Sequence, residues 1–470
     1  MKKTTLTIGT TLIAVTLITS CKKEENFIDT SNNSNQTEVN LSPYQGKSIE
    51  TLTSEFIKTH PEEEKNASKI ISVTNEFFAI NGDNKEFGNK KPCYIQPIYA
   101  YGVDGIAYYE VWFIEDNKNV KGWILISATE KDYPLVNFSQ GIPYSSHMIT
   151  ANTQNNKIYR FGASFYAMEQ NGNKVAEYGA MPKYIMNANV QKSHGGTGDS
   201  KSGVEESFKA ESAVEGVDYF LVNSYESLKS LFPKYYYNQE RAQYAAQMQQ
   251  RLFPASGRGE ARKAAGYYQY RWVGGQQAYY TQIPANTGWN PYACWSGCNN
   301  NAWANIYGWW DRNAGKANLI PTTSTGETSP IYRNTTSRKN SVDPVQMYIR
   351  AVSGTYCGDG TGWTLWSDSH KGYQYAPNKG YGYLYQYRWC NSAGCHVDLA
   401  NIVTDGIANN YKPVFIGANS HFYVGYGWAQ WTDNTDWTWA YCYPGWSENN
   451  NDDVWISWHD FNASVKLFVY

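Results

Sequence analysis

The sequence predicts an α+β fold. In the N-terminal half, the helical run "NASKIISVTNEFF" precedes two strand-like runs, "YYEVWFI" (108–114) and "GWILISA" (122–128), separated by the polar turn "EDNKNVK". In the C-terminal half, "CNNNAWANIYGWW" (298–310) places Ala302, Trp303, Ile306, Tyr307 and Trp310 on one stripe at helical spacing. Farther on, Leu399, Ile402, Val403 and Ile407 mark another helix, followed by the strands "PVFIG" and "HFYVGYG".

Composition narrows the function classes. The net charge is −2 over 470 residues, which gives no reason to expect a nucleic-acid partner. Charged residues are only 17% while aromatic residues are 16%, and the 40 Tyr and 18 Trp favour β-rich structure and surfaces that face polar partners. No internal run of 18 apolar residues occurs, so no spanning helix is expected in the mature protein.

The N-terminus reads as a targeting segment. Lys2 and Lys3 form a positive region and Leu6 to Ile18 a short apolar one, giving a signal peptide over 1–20. Lys22 to about Tyr44 is rich in Asn, Ser, Thr and Glu, and the span 21–65 reads as a tether. A folded unit follows over 66–235, with "PLVNFS" (134–139) as its third strand and a Gly/Ser-rich loop at 192–212. Residues 236–265 hold a helix, "NQERAQYAAQMQQRLF", and the small, basic connector "PASGRGEARKAA" (254–265), where proteases would cut. The last unit is 266–470.

Eight cysteines occur, at 21, 93, 294, 298, 357, 390, 395 and 442. In an exported chain disulfides are allowed. Setting Cys21 aside as a terminal, modified residue leaves an odd number, which points to a free and reactive thiol. Metal binding, a disulfide and nucleophilic catalysis all compete to explain Cys294 and Cys298. Zinc is disfavoured, since Cys390, Cys395 and His396 lack a standard ligand spacing; no metal and no cofactor are expected. A local Cys390–Cys395 disulfide fits better.

Cys298 is the candidate nucleophile. The thiolate is the reactive form, and "SGC" puts it at a helix N-terminus, where free N–H groups stabilise negative charge. Gly297 gives the chain room to turn sharply and leaves space for a substrate. A nucleophilic cysteine needs a base, and His421, fixed at the start of a strand, is the best-placed histidine.

Taken together, "AYYTQ" (278–282), "SGCNNNAWANIYGWW" (296–310), "KPVFIG" (412–417), "HFYVGYGW" (421–428) and "AYCYPGW" (440–446) resemble, in order and spacing, the papain-like cysteine peptidases. Within that clan the chain is most similar to the bacteriocin-leader-processing and streptopain families. The run "YYEVWF … KGWILISATEKDYPLVNFSQG" resembles the propeptide-like domain of the streptopain type. "ITSC" (18–21) resembles the lipoprotein cleavage box, which implies lipidation at Cys21, and "CKKEEN" resembles a tag for the outer surface.

The resemblance implies a papain-like catalytic domain, with a helix carrying the nucleophile packed on an antiparallel sheet, preceded by a small α+β propeptide-like domain. It implies Cys298 as nucleophile, His421 as general base and acid, and Gln282 as an oxyanion-hole partner of the Cys298 N–H. It also implies Cys294–Cys357 as a disulfide tying down the nucleophile segment. The expected partners are a protein or peptide substrate and, through Cys21 alone, a membrane; the expected location is the outer membrane, exposed at the cell surface. Two departures matter. The family's "GCGPT" is "GCNNN" here, and the third triad position, Asn or Asp in the family, aligns with Tyr443. Asp436, Asn449 and Asn450 are the substitutes nearest in sequence. The rival expectation is a pseudopeptidase whose aromatic surface binds peptide or glycan.

Overall fold

A computed structural model describes residues 44–470 apart from several segments, the longest being 187–197, 201–218, 253–267 and 322–335. The signal peptide, Cys21, the connector at 254–265 and the Cys390/Cys395 pair therefore lie outside the described residues, as does the 192–212 loop except for a short strand at Gly198–Ser200.

The fold mixes α and β around a 12-stranded sheet whose strands pair antiparallel. Its first four strands are Lys90–Ile98, Tyr108–Glu115, Asn119–Ser127 and Leu135–Ser139. The sheet then passes without a break into the C-terminal half through Val454–Ser457, Asn434–Tyr443, His421–Trp431, Val414–Ala418 and Phe461–Val469, ending at Tyr383–Trp389 and Gly198–Ser200. The seam is the pairing of Phe138 with Trp455. The two sequence units thus share one sheet.

They also share a core. Phe138 stacks on Trp455 with centroids 5.6 Å apart and meets Trp439 edge-on at 5.1 Å. Phe77 and Phe87 pack into the same cluster as Trp439, Tyr441 and Trp455. A buried ion network crosses the boundary as well. Arg241, on the Gln239–Leu252 helix, donates from Nε to Asp132 at 2.8 Å and from Nη1 to Asp460 at 2.6 Å. Such pairs hold register because removing one partner would strand a buried charge.

The Ala67–Asn81 helix and the three following strands lie where the sequence places them. One boundary needs correction. The span assigned to the tether contains a helix, Ile49–Thr59. Ser48 caps it by accepting from the Thr51 N–H, and Ile49, Leu52 and Phe56, spaced three and four apart, bury against the sheet. A smaller antiparallel sheet, Lys157–Arg160, Phe165–Gln170 and Asn173–Gly179, also belongs to the N-terminal half.

Candidate active site

Cys298 opens the helix Cys298–Asn313, the most buried helix in the C-terminal half, with Trp303 and Tyr307 fully enclosed. The turn before it requires glycine. Gly297 has φ +99°, and a Cβ there would come within 2.5 Å of the Gly362 carbonyl oxygen. The first helical hydrogen bond runs from the Asn301 N–H to the Gly297 carbonyl at 3.2 Å.

The segment ahead of the helix is pinned from three sides. Cys294 and Cys357 form a disulfide, as the family resemblance implies. This excludes Cys294 as a nucleophile. The Arg350 guanidinium lies 3.2 Å from both sulfurs and donates to the carbonyls of Trp295 and Ser296. Ser296 Oγ donates to Gln346 at 2.6 Å and accepts the Ile283 N–H at 2.8 Å, while Gln346 Nε2 donates to the Thr281 carbonyl at 2.9 Å. These contacts grip Thr281 and Ile283, the residues on either side of Gln282, and hold that buried glutamine's chain against the nucleophile turn.

"GCNNN" works through its amides. Asn300 bonds back to the Ser296 carbonyl, and its Oδ1 accepts from Asn299 at 3.1 Å and from Thr355 at 3.2 Å. Asn301 supports the neighbouring loop: a Cβ on Gly445 would lie 2.0 Å from the Asn301 amide nitrogen. The Asn tract therefore fills the helix start with hydrogen-bonding side chains that bridge to adjacent loops.

His421 starts its strand directly after a tight hairpin. Ala418 pairs with His421, and the two turn residues between them, Asn419 and Ser420, both have positive φ, as a two-residue hairpin of this twist requires. The ring is buried to 1% exposure. Its Nε2 lies 2.8 Å from the Pro444 carbonyl oxygen, while Nδ1 is buried without a hydrogen-bond partner. A carbonyl only accepts, so Nε2 carries the proton and Nδ1 presents a lone pair. Trp446 covers the ring at 5.1 Å between centroids.

Backbone N–H groups of Phe422, Asn299 and Cys298 itself lie near enough to favour the Cys298 thiolate, and Phe422 is the residue that follows His421. Burial pushes the Cys298 thiol up to about 11, against the opposing pull of these N–H groups. Burial likewise drives His421 down to about 4, opposed by its bond to Pro444. In this closed state thiol and imidazole are both neutral at ordinary pH.

Tyr443 does not serve the imidazole in the way the alignment implies. Its hydroxyl donates to the Tyr280 carbonyl at 2.7 Å, and the acceptor at His421 is the backbone of the next residue. Asn449 lies outside the described residues, and nothing is described for the side chains of Asp436 and Asn450. Sequence reading missed Pro444, because a backbone carbonyl has no side-chain signature. It also missed Ser296 and Gln346, whose roles arise only from the pairing of two distant segments. Among the described residues three cysteines are free, Cys93, Cys298 and Cys442, and all are buried. No cluster of metal-ligating side chains occurs among the described residues.

Searches against family models, curated proteins and solved structures found no match to this chain.

Proposed function

We propose that this protein is a surface-anchored, papain-like cysteine peptidase, lipidated at Cys21, with an N-terminal unit in an inhibitory or chaperone role. One observation carries the reading. A free cysteine at a helix N-terminus lies near the backbone N–H of Phe422, the residue next to a histidine whose Nε2 is engaged and whose Nδ1 is open.

The chemistry follows from that arrangement. The Cys298 proton passes to Nδ1 of His421, and the thiolate attacks a peptide carbonyl carbon. The developing oxyanion is taken by Gln282 and the Cys298 N–H. His421 then returns its proton to the leaving amine, and water resolves the acyl-enzyme by the same route. The Pro444 carbonyl orients the ring as a side-chain amide does in the resembling families. It has no net charge, so it stabilises imidazolium less than a carboxylate would.

The neutral resting pair supports a latent enzyme: substrate entry or loop movement must admit water or a polar group before the ion pair forms. The same neutrality favours the second reading, an inactive module that binds peptide or glycan. Turnover of a quenched peptide library by the purified full chain separates the two. The enzyme reading requires hydrolysis that disappears in Cys298→Ala; a folded wild-type chain that binds such peptides without cleaving them supports the module.

A further inference from the structure

Two chain segments set the position of His421. One is the Asn419–Ser420 turn that starts its strand. The other is Pro444 to Trp446, which supplies the Pro444 carbonyl and the Trp446 ring. The N-terminal half grips both. Gly162, at φ +74°, approaches so closely that a Cβ would sit 3.1 Å from the Asn419 Cβ.

The grip around the second, on Asn451 to Asp453, is denser. The Ile142 N–H donates to the Asn451 carbonyl at 2.9 Å, and the Tyr144 hydroxyl donates to the Asp452 carbonyl at 2.6 Å. The Ser139 hydroxyl donates to the Asp453 carbonyl, and the Tyr178 hydroxyl to the Asp452 carboxylate. A Cβ on Gly141 would overlap the Asn451 carbonyl. The Tyr144 and Tyr178 rings also pack on Trp446, at 5.9 and 5.5 Å.

An inhibitor made to be discarded would leave the site's own parts in place when it departs. These contacts do something else: they hold Trp446, which covers the His421 ring. Departure of the N-terminal half would free Trp446 and open a sheet seam through Phe138 and Trp455.

We infer that, of the two roles proposed for it, the N-terminal half supports the site rather than inhibiting it, and that Tyr144 and Tyr178 are positioning residues that fix the His421 imidazole through the Trp446 ring. The inference rests on the peptidase reading for its kinetic consequence, but not for its structural one.

The test uses the full chain and the variants Tyr144→Phe, Tyr178→Phe and the double variant, each shown by its melting transition to be folded at the assay temperature. Tyr144→Phe removes only a bond to a backbone carbonyl, so it reports even where Tyr178→Phe, which leaves the buried Asp452 carboxylate short of a donor, fails to fold. Nitrogen-15 NMR of the His421 ring gives the tautomer. The wild type should show a proton held on Nε2, and the variants a mixture of tautomers. The kcat should fall about 3- to 10-fold per hydroxyl, as expected for one lost hydrogen bond, with KM within about twofold. An unchanged tautomer in the folded variants, or a kcat that rises because an inhibitory contact has been lifted, overturns the inference. A wild-type chain that hydrolyses nothing while its tautomer still responds to these variants sinks the peptidase reading and leaves the positioning intact.

Discussion

His421 Nε2 and the Pro444 carbonyl oxygen lie 2.8 Å apart, so a backbone carbonyl orients the buried imidazole. The bond fixes the neutral tautomer that leaves the Nδ1 lone pair open. It also ties the site to the geometry of "YPGW", because Gly445, at φ +85°, turns the chain immediately after the acceptor.

Gly445→Ala is therefore expected to damage catalysis without touching a catalytic side chain. An alanine must leave that φ region and collide with the Asn301 amide, which strains the loop by about 1–3 kcal/mol. The kcat should drop by about 10-fold or more while the protein still folds. A folded Gly445→Ala protein with wild-type kcat would show that the carbonyl need not be held there.

Tyr443→Phe should behave differently. The lost bond to the Tyr280 carbonyl costs about 1 kcal/mol of stability by chemical denaturation. The pH dependence of kcat should be unchanged, since the hydroxyl's bond is to Tyr280. A shifted acid limb would return Tyr443 to a direct role at the imidazole.

Replacing Cys294 and Cys357 together by alanine removes a cross-link between residues 63 apart in sequence. The expected loss is roughly 2–4 kcal/mol, with labelling of Cys298 retained in the folded fraction. Loss of labelling in protein shown to be folded would mean that the disulfide shapes the nucleophile turn itself.

Glu110 gives a pH signature. Its carboxyl is buried beneath the 144–147 turn, bonded to Ser145 and to Trp112 Nε1, and burial raises it to about 7, with those bonds opposing. The unfolded chain gives up this proton near pH 4.5 and the folded chain only near 7. Glu110 therefore stabilises fully below about 4.5, and its contribution is lost as pH rises through 7, a change of roughly 3 kcal/mol. His421, lowered by burial, acts in the opposite sense: its contribution is lost as pH falls from 6.5 towards 4. Subtracting the stability curve of Glu110→Gln from that of wild type isolates the first effect. A flat difference between pH 4.5 and 7 would contradict it.

Much of the secondary structure was legible because period and turn chemistry agreed locally. The aromatic stripe of 302–310 and the strand opening at His421 are examples, and both put the candidate residues at element ends. The Lys90–Ile98 strand escaped notice because Pro92 and Pro97 argue against a strand. The structure places it at the sheet edge, where a missing N–H is tolerated. The Ile49–Thr59 helix was hidden by polar neighbours that made its span read as tether. Least legible was the merging of the two halves, since the pairing of Phe138 with Trp455 joins residues more than half the chain apart. That seam also bears on 266–470: produced alone, it would expose Trp439, Tyr441 and Trp455, so poor folding of the isolated unit is expected.

The central claim is that Cys298 and His421 act as nucleophile and base. Its most direct test is site-mapped labelling of the folded full chain with a peptidyl electrophile specific for thiol peptidases. The account predicts label on Cys298, none on the buried Cys93 and Cys442, and labelling slowed about 100-fold or more in His421→Ala. Label on Cys93 or Cys442 as readily as on Cys298, or a Cys298 rate indifferent to His421→Ala, would contradict it.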